Sequence, residues 1–145
     1  MHKLFTLTLP FFITFISILP MQAQSNITVK KYLSVNEEIL KAKSNKTTDP
    51  SLLQAREELE NVFRTYNNAI AQTVVATNQL SINSTGKPWF CLTDNLTSMD
   101  GEMIKNVILF KVDFHLKNNI NLERFFDTYA SFVAVQGLYE IFPCK

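Results

Sequence analysis

Lys87-Pro88-Trp89-Phe90-Cys91-Leu92 opens, and Tyr139-Glu140-Ile141-Phe142-Pro143-Cys144-Lys145 closes, the stretch that decides the fold of this 145-residue chain. Its two cysteines are the only ones in the sequence. Between them lie two apolar runs with helical spacing, separated by the polar turn Lys117-Asn118-Asn119-Ile120-Asn121. The first run holds Met103, Ile104, Val107, Ile108, Phe110, Val112, Phe114 and Leu116. The second holds Leu122, Phe125, Phe126, Tyr129, Phe132, Val133, Leu138 and Ile141, and Pro143 stops it. Helices of about twenty residues are each roughly 30 Å long. Joined by a short turn they return antiparallel, so the start of one meets the end of the other. That arrangement brings the Cα atoms of Cys91 and Cys144 within the ~7 Å that a disulfide requires. The spacing predicts an αα-hairpin closed by a Cys91–Cys144 disulfide.

The N-terminus makes an oxidising compartment the expectation. Met1-His2-Lys3 is a short basic start, residues 4–19 are apolar, and Pro20-Met21-Gln22-Ala23-Gln24-Ser25 ends on small residues. That is the pattern of a secretory signal, with cleavage expected after Ala23. The apolar run, about sixteen residues, is short of the ~20 a spanning helix needs. The division is a signal peptide over residues 1–23 and one domain over residues 24–145. Lys+Arg number 14 and Asp+Glu 13, and loss of Lys3 with the signal brings the balance to neutrality. A neutral chain without a basic run gives no electrostatic case for nucleic acid or an anionic membrane. No later segment is long and uncharged enough to span a bilayer.

Upstream of the hairpin the pattern stays helical. Asp49-Pro50 opens a long helix, since Asp accepts free amides at an N-cap and Pro suits the first helical position. Leu52, Leu59, Val62, Tyr66, Ala69, Thr73, Ala76 and Leu80 recur there at threes and fours. Its second half carries Asn67, Asn68, Gln72, Thr73, Thr77, Asn78 and Gln79. Such a band bonds neighbouring helices, meets a partner or, the commoner case, is a solvated face. Residues 81–88, rich in Asn, Ser, Thr, Gly and Pro, predict a loop. Before the polar linker 41–48, Ile27, Lys31, Val35, Ile39 and Leu40 suggest a shorter helix. Thr97-Ser98-Met99-Asp100 resembles a capping box for the helix that follows. The fold class is all-α, a small bundle of about four helices. The run 103–116 is apolar around most of its girth, which suits a central helix or an oligomer interface. A homodimer using that run is the expectation.

Catalytic chemistry is not expected. His115 is the one histidine outside the signal, and near a helix end it can interact with the C-terminal dipole. Glu57-Glu58-Leu59-Glu60 fits a solvated helical face, and Glu123, Asp127 and Glu140 lie apart along the last helix. No metal-spaced His/Cys set, phosphate-cradling Gly loop or Gly-x-Ser-x-Gly turn occurs. The expectation is therefore no catalytic residues, no metal and no cofactor. Asn26, Asn45, Asn83 and Asn95 begin Asn-x-Ser/Thr sequons, which bear on a eukaryotic secreted protein alone.

The C-terminal half resembles the Rap/Tai family of periplasmic immunity proteins, which protect against peptidoglycan amidase toxins delivered by type VI secretion. Trp89-Phe90-Cys91-Leu92 and Ala134-Val135-Gln136-Gly137-Leu138-Tyr139-Glu140-Ile141-Phe142-Pro143-Cys144 carry the resemblance, with Tyr66-Asn67-Asn68-Ala69-Ile70 adding to it. The chain departs from the pattern in lacking further cysteines in its first half, a glycine near 66–70 and a Pro after Leu92. The resemblance implies a small, often dimeric helical protein in the periplasm. Such a protein inhibits an amidase by occluding its active-site cleft, without chemistry of its own. The alternative is an HdeA-like periplasmic acid-stress chaperone, also a small disulfide-bonded helical protein. The partner-binding residues are not legible; the polar segments 81–88 and 117–121 are the candidates.

Overall fold

The computed structural model describes residues 27–45, 47–92 and 99–144. The expected signal peptide 1–23, Asn26, Asn95 and the Thr97-Ser98 part of the expected capping box lie outside the described residues. The elements are α1 (Val29–Ser44), α2 (Pro50–Thr85), α3 (Gly101–Asn118), α4 (Leu122–Phe126) and α5 (Ala130–Ile141). The fold is all-α. Among the described residues no helix is long and apolar enough to cross a membrane.

The expected last helix is broken in two, which makes five helices among the described residues. The interruption at Asp127-Thr128-Tyr129 has a partner in the chain entering α1. Val29 N donates to Thr128 O at 2.8 Å, and Ala130 N donates to Ile27 O at 2.9 Å. Thr128 and Tyr129 are poor helix formers, and Tyr129 pairs with Thr28 in an isolated bridge instead of continuing the helix.

α2 is 36 residues long. Asp49 caps it by accepting from Ser51 N at 2.9 Å, and Pro50 takes the first turn. It ends on Gly86, whose φ of 72° is the left-handed cap conformation glycine adopts freely. Residues 81–85, expected in a loop, are thus the last turn of the helix. Ser84 Oγ donates to Leu80 O at 2.8 Å and Thr85 Oγ1 to Ser81 O at 2.8 Å. These hydroxyls bond back to their own turn instead of competing with it.

The buried face of α2 shares Tyr66 and the partly buried Leu59 with the expected seam but is otherwise turned away from it. Phe63, Tyr66, Asn67, Ile70, Ala71 and Val74 face inward, whereas Val62 and Leu80 are 68% and 66% exposed. One residue along a helix is a turn of about 100°, so Val62 and Phe63 cannot share a face. α1 likewise buries Val29, Tyr32 and Ile39 and leaves Lys31 and Leu40 outside. Tyr32 packs on Phe63 with ring centroids 4.8 Å apart.

α3 is the central element, packed against both α2 and α5. It buries Ile104, Val107, Ile108, Lys111 and Val112, while Phe110 and Phe114 remain about half exposed. Two packed sides account for most of its apolar girth. Asp100, in the stretch where the helix start is expected, is itself the N-cap, accepting from Met103 N at 2.8 Å, and α3 begins at Gly101. Gly101 N donates to Asn68 Oδ1 at 2.8 Å, and a side chain at 101 would collide with that amide. A methyl group on Gly137 would overlap Val107, which is how α5 comes close to α3. The expected disulfide closes the hairpin: Cys91 and Cys144 are bonded with Cα atoms 4.9 Å apart, and Cys91 N donates to Phe142 O at 2.9 Å.

Candidate functional site

Two chain reversals at opposite ends of the α3–α5 hairpin present the side chains most available for recognition. At the disulfide end, Asn78 holds the chain leaving α2. Its Oδ1 accepts from Trp89 N at 2.7 Å and Phe90 N at 3.3 Å, and its Nδ2 donates to Phe90 O at 3.0 Å. Ser81 Oγ donates to Lys87 O at 2.7 Å. Phe90 is driven into the core and Trp89 stands half exposed.

At the other end, Asn119 and Asn121 take left-handed φ values of 49° and 43°. Asparagine tolerates that region because its short amide bonds locally. Asn118 Nδ2 donates to Phe114 O at 2.7 Å, and Ile120 N donates to His115 O at 3.2 Å. His115 lies in the last turn of α3, as expected, and does more than meet its dipole. Its ring stacks on Phe125 at 3.9 Å with planes 12° apart, and Nδ1 lies 3.1 Å from Ile120 O. The result is a fastened tip on which Phe114, Leu116 and Ile120 are exposed beside the Lys117–Asp113 ion pair of 2.6 Å.

The polar band of α2 is not one solvated face. Asn67, Asn68 and Asn78 bond other parts of the fold, Asn67 accepting from Tyr32 Oη at 2.8 Å in the core. Thr73 and Thr77 donate to carbonyls of their own helix, and Gln72 and Gln79 are exposed. Sequence spacing gave no sign of Tyr32 as a core residue or of Asn67 as its partner. Lys111 was also missed, though its place three and four residues after Ile108 and Val107 put it on the buried stripe. Its ammonium reaches both oxygens of Glu140 at 2.8 Å.

Between α2 and α5 runs an open groove of about 280 Å³, walled by Tyr66, Ile70, Val74, Trp89, Phe132 and Val135. Tyr66 carries the one buried side-chain polar atom without a hydrogen-bond partner among the described residues. Burial pushes its phenol up to about 12. Tyr32 is also raised, by burial first, with the Asn67 bond acting the other way.

The carboxylates do not converge. Glu58 accepts from Gln54, Glu60 meets Lys43 and Arg56, and Glu140 serves Lys111. Among the described residues no three His, Cys, Asp or Glu side chains group as metal ligands. Asn45 and Asn83 of the sequons are exposed. No protein-family model, curated protein or solved structure matches the chain. What the arrangement offers chemically is recognition by two fastened reversals on a rigid bundle.

Proposed function

We propose that the mature protein is a periplasmic immunity protein that binds a type VI secretion peptidoglycan amidase and occludes its active-site cleft. The observation that carries this reading is the hairpin closed by Cys91–Cys144, the part of the chain on which the Rap/Tai resemblance rests. A disulfide suits an oxidising compartment outside the cytoplasm. The tip at residues 117–121 is the surface we assign to the amidase. Its left-handed turn is already bonded in place, so little conformational freedom is lost on docking. Leu116 and Ile120 supply exposed apolar side chains that a partner's pocket can bury.

The test expresses the amidase encoded beside this gene in the periplasm, with and without this protein. Protection from lysis and a complex on gel filtration are the expected results. Ile120→Asp, on the exposed turn, should leave the helical content intact and weaken the complex by roughly thirtyfold or more, the scale of a hot spot. Continued lysis at good expression, with no complex, rejects the reading. Suppression of client aggregation at acid pH would then favour the chaperone alternative.

A further inference from the structure

The groove between α2 and α5 has a polar end and an aromatic end. Tyr66 stands at the first, and Trp89, whose main chain is held by Asn78, at the second. The α2 wall runs from Tyr66 to Thr77, about 16 Å at the rise of a helix. Between the ends Ala69, Ile70, Val74, Phe132 and Val135 offer methyl and ring carbon.

The lining selects against charge. None of the residues that line the groove is charged, and Arg64 and Lys87, the first charges along the chain on either side of its α2 wall, do not line it. An ion placed there would lose its water with no counter-charge to replace it. Thr73 and Thr77 already donate to carbonyls of their own helix, so their hydrogens are committed.

Tyr66 is the exception. It is 6% exposed, lines the groove, and its Oη pairs with neither protein nor solvent. Its ring lies 6.2 Å from that of Tyr32, whose hydroxyl has taken Asn67 Oδ1, so on that side the core acceptor is occupied. A buried hydroxyl without a partner carries a desolvation cost that an arriving oxygen removes. With a slight turn of the ring the groove supplies the route for that oxygen. A mostly apolar pocket with one placed polar group is the common form of a small-molecule site, the polar group fixing orientation.

Size narrows the class. A cavity of about 150 Å³ holds benzene, so one of about 280 Å³ takes about eleven non-hydrogen atoms. We infer that the α2–α5 groove binds a neutral, medium-chain molecule with one hydroxyl or carbonyl oxygen. That oxygen accepts from Tyr66 Oη and the hydrocarbon chain lies along α2 towards Trp89. No residue of 117–121 lines the groove, so the inference stands apart from the amidase reading.

Trp89 is the only tryptophan of the chain and reports on the site directly. Titration of the mature, disulfide-bonded protein with 1-decanol should give a saturable change in its emission, with binding heat by calorimetry. Decanoate, ionised at pH 8, should bind at least tenfold more weakly than the alcohol. Tyr66→Phe should keep the helical circular dichroism and weaken decanol at least fivefold. The same variant should leave butylbenzene, which fits the groove but has no oxygen, bound as in the wild type; a merely structural role for Tyr66 would move both ligands together. Thr73→Phe, at an exposed position, should fill the groove and abolish binding of both. No binding of decanol by either method, equal affinity for decanol and decanoate, or decanol binding untouched by Tyr66→Phe overturns the proposal. A groove that ignores decanol while Thr73→Phe disrupts a complex with a protein is a protein-docking surface, which overturns it as well.

Discussion

At the residue scale, the two buried tyrosines make opposite demands on the same chemistry. Tyr32 donates to Asn67, and its replacement by Phe leaves Asn67 Oδ1 in the core with nothing to accept. That loss costs about 1–3 kcal/mol. Tyr66 has no partner to lose, so Tyr66→Phe removes a desolvated hydroxyl and should be neutral or mildly stabilising. Urea denaturation of both variants checks the contrast; equal losses would mean that the Tyr66 hydroxyl is paired in solution. The sign of the pH effect follows from the raised phenol. An unfolded tyrosine ionises near ~10, while folded Tyr66 holds its proton to about 12. Between those values the unfolded chain binds fewer protons, so rising pH favours unfolding. The contribution is whole below the unfolded value and is lost as pH climbs through the folded one. Tyr66→Phe should therefore flatten the alkaline fall in the urea midpoint.

Among the elements, the contact of α3 with α5 joins a close approach at Gly137 to a buried cation. Lys111 is 4% exposed and bonded to both oxygens of Glu140, whose own side chain is about half exposed. Removing one partner of such a pair is worse than replacing the buried charge by an apolar chain of similar volume. Glu140→Ala strands the ammonium and should cost about 2 kcal/mol, below the fully buried range because water reaches the site. Lys111→Met keeps the volume and should cost less. Thermal unfolding of the two variants settles the order, and the reverse order would mean that the ion pair, not packing, holds α5.

For the whole molecule, the disulfide closes a loop across a sequence separation of 53. Chain entropy alone assigns it about 4 kcal/mol, a large part of the ~5–15 kcal/mol that holds a typical domain together. Cys91→Ser/Cys144→Ser should lower the unfolding free energy by about that amount while the helices persist. Phe90 stays anchored in the core, and Asn78 still holds the Trp89–Phe90 backbone. Denaturant curves with and without reductant measure the effect; a loss under about 1 kcal/mol would mean that the Asn78 clamp already supplies the closure.

The all-helical class, the Asp49–Pro50 start of α2 and the Cys91–Cys144 pairing were all legible in the residues. Each rests on local spacing, a cap or the geometry of one covalent bond. The two candidate reversals were half legible. Asn119 to Asn121 make the turn expected over 117–121, with Lys117 and Asn118 ending α3, whereas Ser81 to Thr85 joined α2, where the Ser84 and Thr85 hydroxyls bond to their own helix. The sequence also held both stripes of α2 but not the choice between them. Only packing against α1 and α3 put Phe63 and Ile70 inside and left Val62 and Leu80 outside, because spacing records amphipathicity and not which neighbour arrives. The break between α4 and α5 was likewise invisible, since it depends on amide bonds to residues about a hundred positions earlier. Asn67, Asn68 and Asn78 became structural for the same reason: a carboxamide is solvated or structural according to what the fold brings within 3 Å of it.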